Sequence, residues 1–219
     1  MGIDIRSTMD IDANITGLTF DLPEIQKMIN TIANISMDDG VSFEVGKEEP
    51  IKEDNEYGGY KFKIIAKYNN LVIPFFIDIS TGDVITPKAI NYQYKKVLDD
   101  SCIELYTYNN ETIIAEKLET ILKRNVTNSR MKDFYDIYYF ANSKWEDVDK
   151  AILKEAIIKT FNHRSSDKEL EGRNAIINNI LESDYLKKFW KEYQNSHNYA
   201  KDIIFEDTVE AIKKILKVL

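Results

Sequence analysis

The chain has 219 residues, with 29 Lys and Arg against 37 Asp and Glu and a formal net charge of −8. Apolar residues at 43% and charged residues at 30% give the balance of a globular protein, long enough for one large domain or two small ones. No run of about 18 apolar residues occurs, which excludes a membrane-spanning helix. The acidic surplus excludes passive binding of nucleic acid over the whole surface, so any RNA contact needs a local basic patch.

Met1 to Asp12 contains no apolar stretch of the signal-peptide kind. The single cysteine, Cys102, cannot form an internal disulfide, and its apolar neighbours mark it as a small core residue. Cytoplasmic residence is the expectation from these features.

Strand signals dominate as far as residue 108. Met9 to Asn14 is a short strand. Asp21-Leu22-Pro23 reads as a helix start, with Asp21 as N-cap and Pro23 in the first turn. Leu22, Ile25, Met28, Ile29, Ile32 and Ile35 then recur at helical spacing, so the sequence predicts a helix over 22–36 with one apolar face. Val41 to Val45 alternates as a strand. Tyr60 to Tyr68 and Leu71 to Ser80 are two strong strands joined at Asn69-Asn70, a hairpin signal because asparagine tolerates the positive φ of tight turns. Gly58-Gly59 and Gly82-Asp83 read as turns, and Ile103 to Tyr108 as a last short strand.

Helical periodicity takes over from there. Helices are predicted over 111–124 and 130–142, separated by a polar break at 125–129, with Ser129 as the cap of the second. Further helices are predicted near 145–161, 173–183, 185–195 and 205–218, with a polar loop at 163–172. The last helix is amphipathic through Val209, Ile212, Ile215 and Leu216, and is expected to pack on the core. The layout predicts an α+β unit over 1–108 and a helical unit over 109–219.

Four segments could carry chemistry. In Asp10-Ile11-Asp12, strand alternation points both carboxylates to one side. Like charges so close repel, and a cation between them relieves the repulsion. Mg²⁺ suits paired hard oxygens, although a solvent-facing acidic pair has the same spacing. Asp78 lies in the apolar run Pro74-Phe75-Phe76-Ile77-Asp78-Ile79. A carboxylate there needs a cation, several donors or a cleft, or else it caps the turn at 80–83. Lys117 falls inside the apolar arc of Ile113, Ile114, Leu118, Ile121 and Leu122, with Glu116, Glu119 and Lys123 outside it. An inward lysine either snorkels to an edge or meets an anion. Asp133 and Asp136 share a face of a helix that is apolar nearly all round, so they must be paired, with Arg124, Arg130 or Lys117 as candidates. A structural ion-pair network would satisfy them equally. His163 and His197 sit in separate polar segments without cysteine partners, which argues against zinc. No Walker loop occurs.

These segments, in this order, resemble the AbiEii/AbiGii nucleotidyltransferase toxins. Arg6-Ser7-Thr8-Met9-Asp10-Ile11-Asp12 is similar to the strand with the family's paired metal-binding acids. Phe76-Ile77-Asp78-Ile79-Ser80-Thr81-Gly82-Asp83 is similar to the segment with its third acid. Ile114-Ala115-Glu116-Lys117-Leu118 and Arg130-Met131-Lys132-Asp133-Phe134-Tyr135-Asp136 resemble its lysine helix and its arginine/aspartate helix. The resemblance spans about residues 3–140.

It implies a DNA-polymerase-β-like nucleotidyltransferase mixed sheet with flanking helices, followed by a helical domain. It implies an NTP substrate, Mg²⁺ held by Asp10, Asp12 and Asp78, and transfer of nucleotides to an RNA acceptor, tRNA in characterised relatives. Lys117 and Asp136 would join the three acids as catalytic residues, with Ser7, Lys117, Arg130 and Asp133 contacting the nucleotide. A cognate antitoxin and a role in abortive phage infection follow from the same resemblance. Family members carry a Gly-Gly or Gly-Ser loop, preceded by a helix, shortly before the paired acids. Here Met1 to Met9 precede Asp10 with a lone Gly2. The expectation is therefore an N-terminally truncated member, and the alternative is an inactive remnant that binds nucleotide or a protein partner.

Overall fold

In a computed structural model, residues 10–17, 21–51, 58–96 and 101–219 are described. The chain falls into two compact units, one ending at Asp83 and one beginning at Val84. The strand-to-helix switch at residue 108 thus lies inside the second unit, because a hairpin precedes its helices.

Among its described residues the first unit is a four-stranded mixed sheet with one helix. Its strands are β1 (Asp10–Ile15), β2 (Val41–Ile51), β3 (Gly59–Tyr68) and β4 (Leu71–Thr81), in the order β1-β4-β3-β2. β1 runs parallel to β4, whereas β4–β3 and β3–β2 are antiparallel. The hairpin expected at Asn69-Asn70 is present, with Asn69 at φ 50°. That two-residue turn pairs Tyr68 with Leu71 and so fixes the β3–β4 register along its length.

α1 (Leu22–Ala33) starts and carries Pro23 as expected, but Asp21 occupies the N-cap position without a side-chain cap bond. Its Ile25 and Ile29 bury against Phe62, Ile64 and Ile79, with Ile15, Val45, Phe75 and Ile77 around them. The register explains this core. Phe62 lies opposite Ile77, Ile64 opposite Phe75 and Val45 opposite Ile64, so every strand turns apolar side chains to the helix. The intervening residues must face the other way. Gly59 is a strand residue here rather than part of a turn. A Cβ there would lie 3.1 Å from Ile51 Cδ1 and 3.3 Å from the Ile79 carbonyl oxygen, so any side chain would press on both neighbouring strands.

The second unit opens with β5 (Ile90–Lys95) and β6 (Cys102–Thr107), an antiparallel pair. β5 was not anticipated, because its alternation of Ile90, Tyr92 and Tyr94 with Asn91 and Gln93 is brief. Ile90, Tyr92, Tyr94, Ile103 and Leu105 share one face. Cys102 pairs with Lys95 on the polar face and is exposed, which corrects the expectation of a core cysteine.

The helices follow as α2 (Asn110–Arg124), α3 (Met131–Ser143), α4 (Lys150–His163), α5 (Asp167–Glu171), α6 (Arg173–Glu182), α7 (Asp184–Ser196) and α8 (Phe205–Leu216). Asn109 caps α2 by accepting from the Thr112 amide, and Asp149 caps α4 by accepting from the Ala151 and Ile152 amides. Arg130, not Ser129, takes the N-cap position of α3. The loop expected at 163–172 contains α5, a helix too short to leave a periodic signal. α8 buries Val209, Ile212, Ile215 and Leu216 and packs on α3, as its pattern predicts. No helix among the described residues is long and apolar enough to cross a membrane.

Phe62 is completely buried at the centre of the first unit. Truncation by Phe62→Ala should cost about 3–5 kcal/mol by the large-to-small rule for cores, read as a lower urea midpoint of the sheet unit's transition. A loss under about 1 kcal/mol would mean that the helix and sheet do not share one core.

Candidate functional site

Two groups of charged residues stand out, one in each unit. In the first unit they lie on the sheet face opposite α1. Strand alternation puts Asp12 and Asn14 of β1 on that face, with Phe76, Asp78 and Ser80 of β4 and Lys61, Lys63 and Lys67 of β3. The register aligns them into rows. Asp12 is opposite Asp78, and Asp78 is opposite Lys61. Strands are about 4.8 Å apart, so two carboxylates and one ammonium group start from neighbouring points on three adjacent strands.

Asp12 is exposed on the edge strand, whereas Asp78 is half-buried, with 24% of its side chain accessible. Lys61 Nζ lies 3.1 Å from Asp78 Oδ1. The contact is electrostatic rather than an aligned hydrogen bond, since that buried oxygen accepts none. The same ammonium stands 5.2 Å from the centroid of the Phe76 ring. At the end of the row, Asn14 Nδ2 donates to Asp83 Oδ2 at 2.9 Å, and Ser80 Oγ donates to the same oxygen at 3.3 Å. Asp83 thereby ties the exit of β4 to β1. Asp83 rather than Asp78 accepts both of these side-chain bonds.

The Asp12–Asp78 pair is a suitable donor set for a divalent cation. Both are hard oxygen donors on one face, and the buried Asp78 Oδ1 has the Lys61 ammonium at 3.1 Å but no aligned hydrogen-bond donor. Among the described residues no group of three His, Cys, Asp or Glu side chains is placed to hold a metal. The side chain of Asp10, and Ser7 entirely, lie outside the described residues.

The second group joins α2 to α3. Lys117 Nζ lies 3.0 Å from Asp133 Oδ1 and 2.7 Å from Asp136 Oδ2. Both carboxylates are buried, at 2% and 0% accessible. Arg130 Nε approaches Asp133 Oδ2 at 3.1 Å from a largely exposed side chain. The inward lysine therefore meets anions supplied by the protein. Burial opposes the charge on Lys117, but Asp133 and Asp136 together outweigh it and hold its pKa above the ordinary 10.5.

A third cluster was not foreseen. Glu119 is buried rather than outside the apolar arc. It receives Arg164 Nη1 at 3.1 Å and the Ser166 hydroxyl at 2.6 Å, while Arg164 Nη2 reaches Glu116 at 3.0 Å. α2 is thus buried on more of its circumference than its hydrophobic residues indicate. Partners some 45 residues away make this possible, and helical periodicity does not register them.

Replacing the lysine by Lys117→Met would leave two buried carboxylates without their main counter-charge. The variant should lose about 3–5 kcal/mol at pH 7, measured by urea unfolding of the helical unit. The raised folded-state pKa sets the pH window. The contribution is fully present below the unfolded value of 10.5 and is lost as pH rises through the higher folded value. The stability gap between wild type and variant should be level from neutral pH to about pH 10 and narrow above it. A gap already closing near pH 8 would contradict this reading.

The family model for the nucleotidyl transferase AbiEii toxin of type IV toxin–antitoxin systems matches residues 1–215. No curated protein matches the chain. Two solved structures from Helicobacter pylori are similar. JHP933 is 14% identical, with 97% of this chain and 74% of that chain covered at a TM-score of 0.45. A protein provisionally described as a nucleotidyltransferase is 11% identical, with 96% and 78% covered at a TM-score of 0.43. The four motifs and a family match over nearly the whole length lead to one conclusion: the chain belongs to the AbiEii nucleotidyl transferase toxin family of type IV toxin–antitoxin systems.

Proposed function

We propose that the chain is a Mg²⁺-dependent nucleotidyltransferase that moves nucleotides from an NTP onto an RNA acceptor, with tRNA as the acceptor class suggested by the family resemblance. The observation that supports it best is the placement of Asp12 directly opposite Asp78 on the sheet face away from α1. Pairing of acids on adjacent strands suits the polymerase-β-like nucleotidyltransferase architecture implied by the resemblance. The acids would belong to an N-terminal transferase domain, followed by a helical one.

In this reading Asp10, Asp12 and Asp78 hold the metal. Bound Mg²⁺ would neutralise the charge that develops on attacking and leaving oxygens. Asp78 orients the acceptor hydroxyl and receives its proton. The hydroxyl oxygen bonds to the α-phosphorus, the bond from that phosphorus to the β-phosphate oxygen breaks, and pyrophosphate leaves. Lys117 neutralises the triphosphate, with Asp133, Asp136 and Arg130 positioning it. Ser7 contacts the nucleotide. A cognate antitoxin, action in abortive phage infection and residence in the cytoplasm complete the proposal.

The capture of Lys117 by two buried carboxylates favours a second reading, in which the helical network is structural and the chain binds nucleotide without turnover. The two readings separate in one assay. The chain is incubated with each labelled NTP, Mg²⁺ and total RNA, and label in RNA is followed on a gel. The transferase reading predicts labelling that EDTA abolishes and that Asp12→Asn lowers about a hundredfold or more, the cost of losing several kcal/mol of charge stabilisation. Equal labelling by Asp12→Asn would refute the assignment. NTP binding with no labelling would favour the second reading.

A further inference from the structure

The row Asp12–Asp78–Lys61 contains a residue for which neither the motifs nor the family resemblance supplies a role. Lys61 is the third member in register, and its position is specific. Lys67 is paired with Glu44, and Lys63 lies in the row of Phe76. Lys61 alone shares a row with both acids. It sits between two carboxylates in the ladder, since Glu49 faces it from β2, yet its ion pair is with Asp78. About 35% of its side chain is accessible. Its ammonium rests near Asp78 and the Phe76 ring without an aligned hydrogen bond to the carboxylate. A long flexible stem carrying a compact charge can leave such a position with little reorganisation.

We infer that Lys61 is a phosphate-binding residue of this site, which occupies the carboxylate of Asp78 while no divalent cation is bound and turns to the substrate's triphosphate once one is. The inference rests on the reading that Asp12 and Asp78 hold that cation. The ammonium now beside Asp78 stands where a dication would draw its charge balance. Two like charges cannot share the Asp78 oxygens at short range without repulsion, so cation binding displaces Lys61 from the carboxylate. The displaced ammonium remains on the same sheet face, within a side-chain length of the cation. The anion that accompanies the cation in nucleotidyl transfer is a polyphosphate, and that is the charge Lys61 meets. Lys61 thus acts in two ways of opposite sign. It weakens binding of the bare cation and strengthens binding of the cation–polyphosphate pair.

The opposed signs make the test specific, because a merely structural lysine would move both affinities in the same direction. Mn²⁺ binding to the full chain is measured by the loss of the free-ion EPR signal, and inorganic tripolyphosphate binding is measured calorimetrically in saturating Mn²⁺. Lys61→Met should bind Mn²⁺ about three- to tenfold tighter than wild type, the range expected from removing one nearby partly screened charge. It should bind tripolyphosphate weaker by a similar factor. Lys61→Arg should stay close to wild type in both. Circular dichroism establishes that each variant is folded. Unchanged or weaker Mn²⁺ binding by Lys61→Met, or unchanged tripolyphosphate binding, overturns the inference. Asp12→Asn tests the underlying reading separately. If it leaves Mn²⁺ binding intact, the cation-holding role of the acids fails. If it weakens Mn²⁺ binding while Lys61→Met fails to tighten it, only the role of Lys61 fails.

Discussion

Asp78 is an acid in the second-to-edge strand of a sheet whose other face is sealed by a helix. It cannot reach α1, because its neighbours Ile77 and Ile79 occupy that side. It must therefore find its charge compensation on the open face, from the strands beside it. β3 supplies Lys61, and β1 supplies a second acid, Asp12, in the same row. With Glu49 of β2 facing Lys61 from its other side, one basic residue among three carboxylates leaves negative charge in excess along this row. That imbalance, created by strand order and register alone, is what makes the face suitable for a divalent cation. The apolar face contributes by holding the strands in register. Phe62 and Ile79 under α1 fix which residues are turned outward.

The helical unit solves a similar problem by the opposite means. Asp133 and Asp136 are buried far more deeply than Asp78, and Lys117 answers both at once. There each acid lies against a base, and solvent has little access. Replacing such a pair by apolar residues often costs little, but breaking one partner is expensive. The network therefore also pins α2 against α3. A lysine that titrates above the ordinary value remains charged throughout the physiological range. In the sheet unit, by contrast, the charge imbalance at Asp12 and Asp78 asks for a ligand.

Much of this was legible in the sequence, and the reasons differ by element. The β3–β4 hairpin follows from Asn69-Asn70, and a two-residue loop pairing Tyr68 with Leu71 already places Lys61 opposite Asp78. That pairing could have been derived, but the apolar run around Asp78 drew attention to the acid rather than to its cross-strand neighbour. The parallel pairing of β1 with β4 could not be derived, since no local turn links strands 66 residues apart in register. α2 and α3 announced themselves by periodicity. Glu119 did not, because Arg164 and Ser166 reach it from a distant segment and make burial affordable. β5 and α5 were too short to stand out. Cys102 was misplaced because neighbours in sequence were read as neighbours in space. On a strand, Ile103 turns to the opposite face.

The most direct measurement is an NMR titration of the ¹⁵N-labelled chain with Mn²⁺, following paramagnetic broadening of backbone amides. If Asp12 and Asp78 hold a divalent cation, the amides around residues 12 and 78 should broaden at the lowest Mn²⁺ concentrations, ahead of those of the buried face under α1. Broadening that begins elsewhere, with these amides unaffected, would contradict the assignment of this sheet face as the catalytic centre.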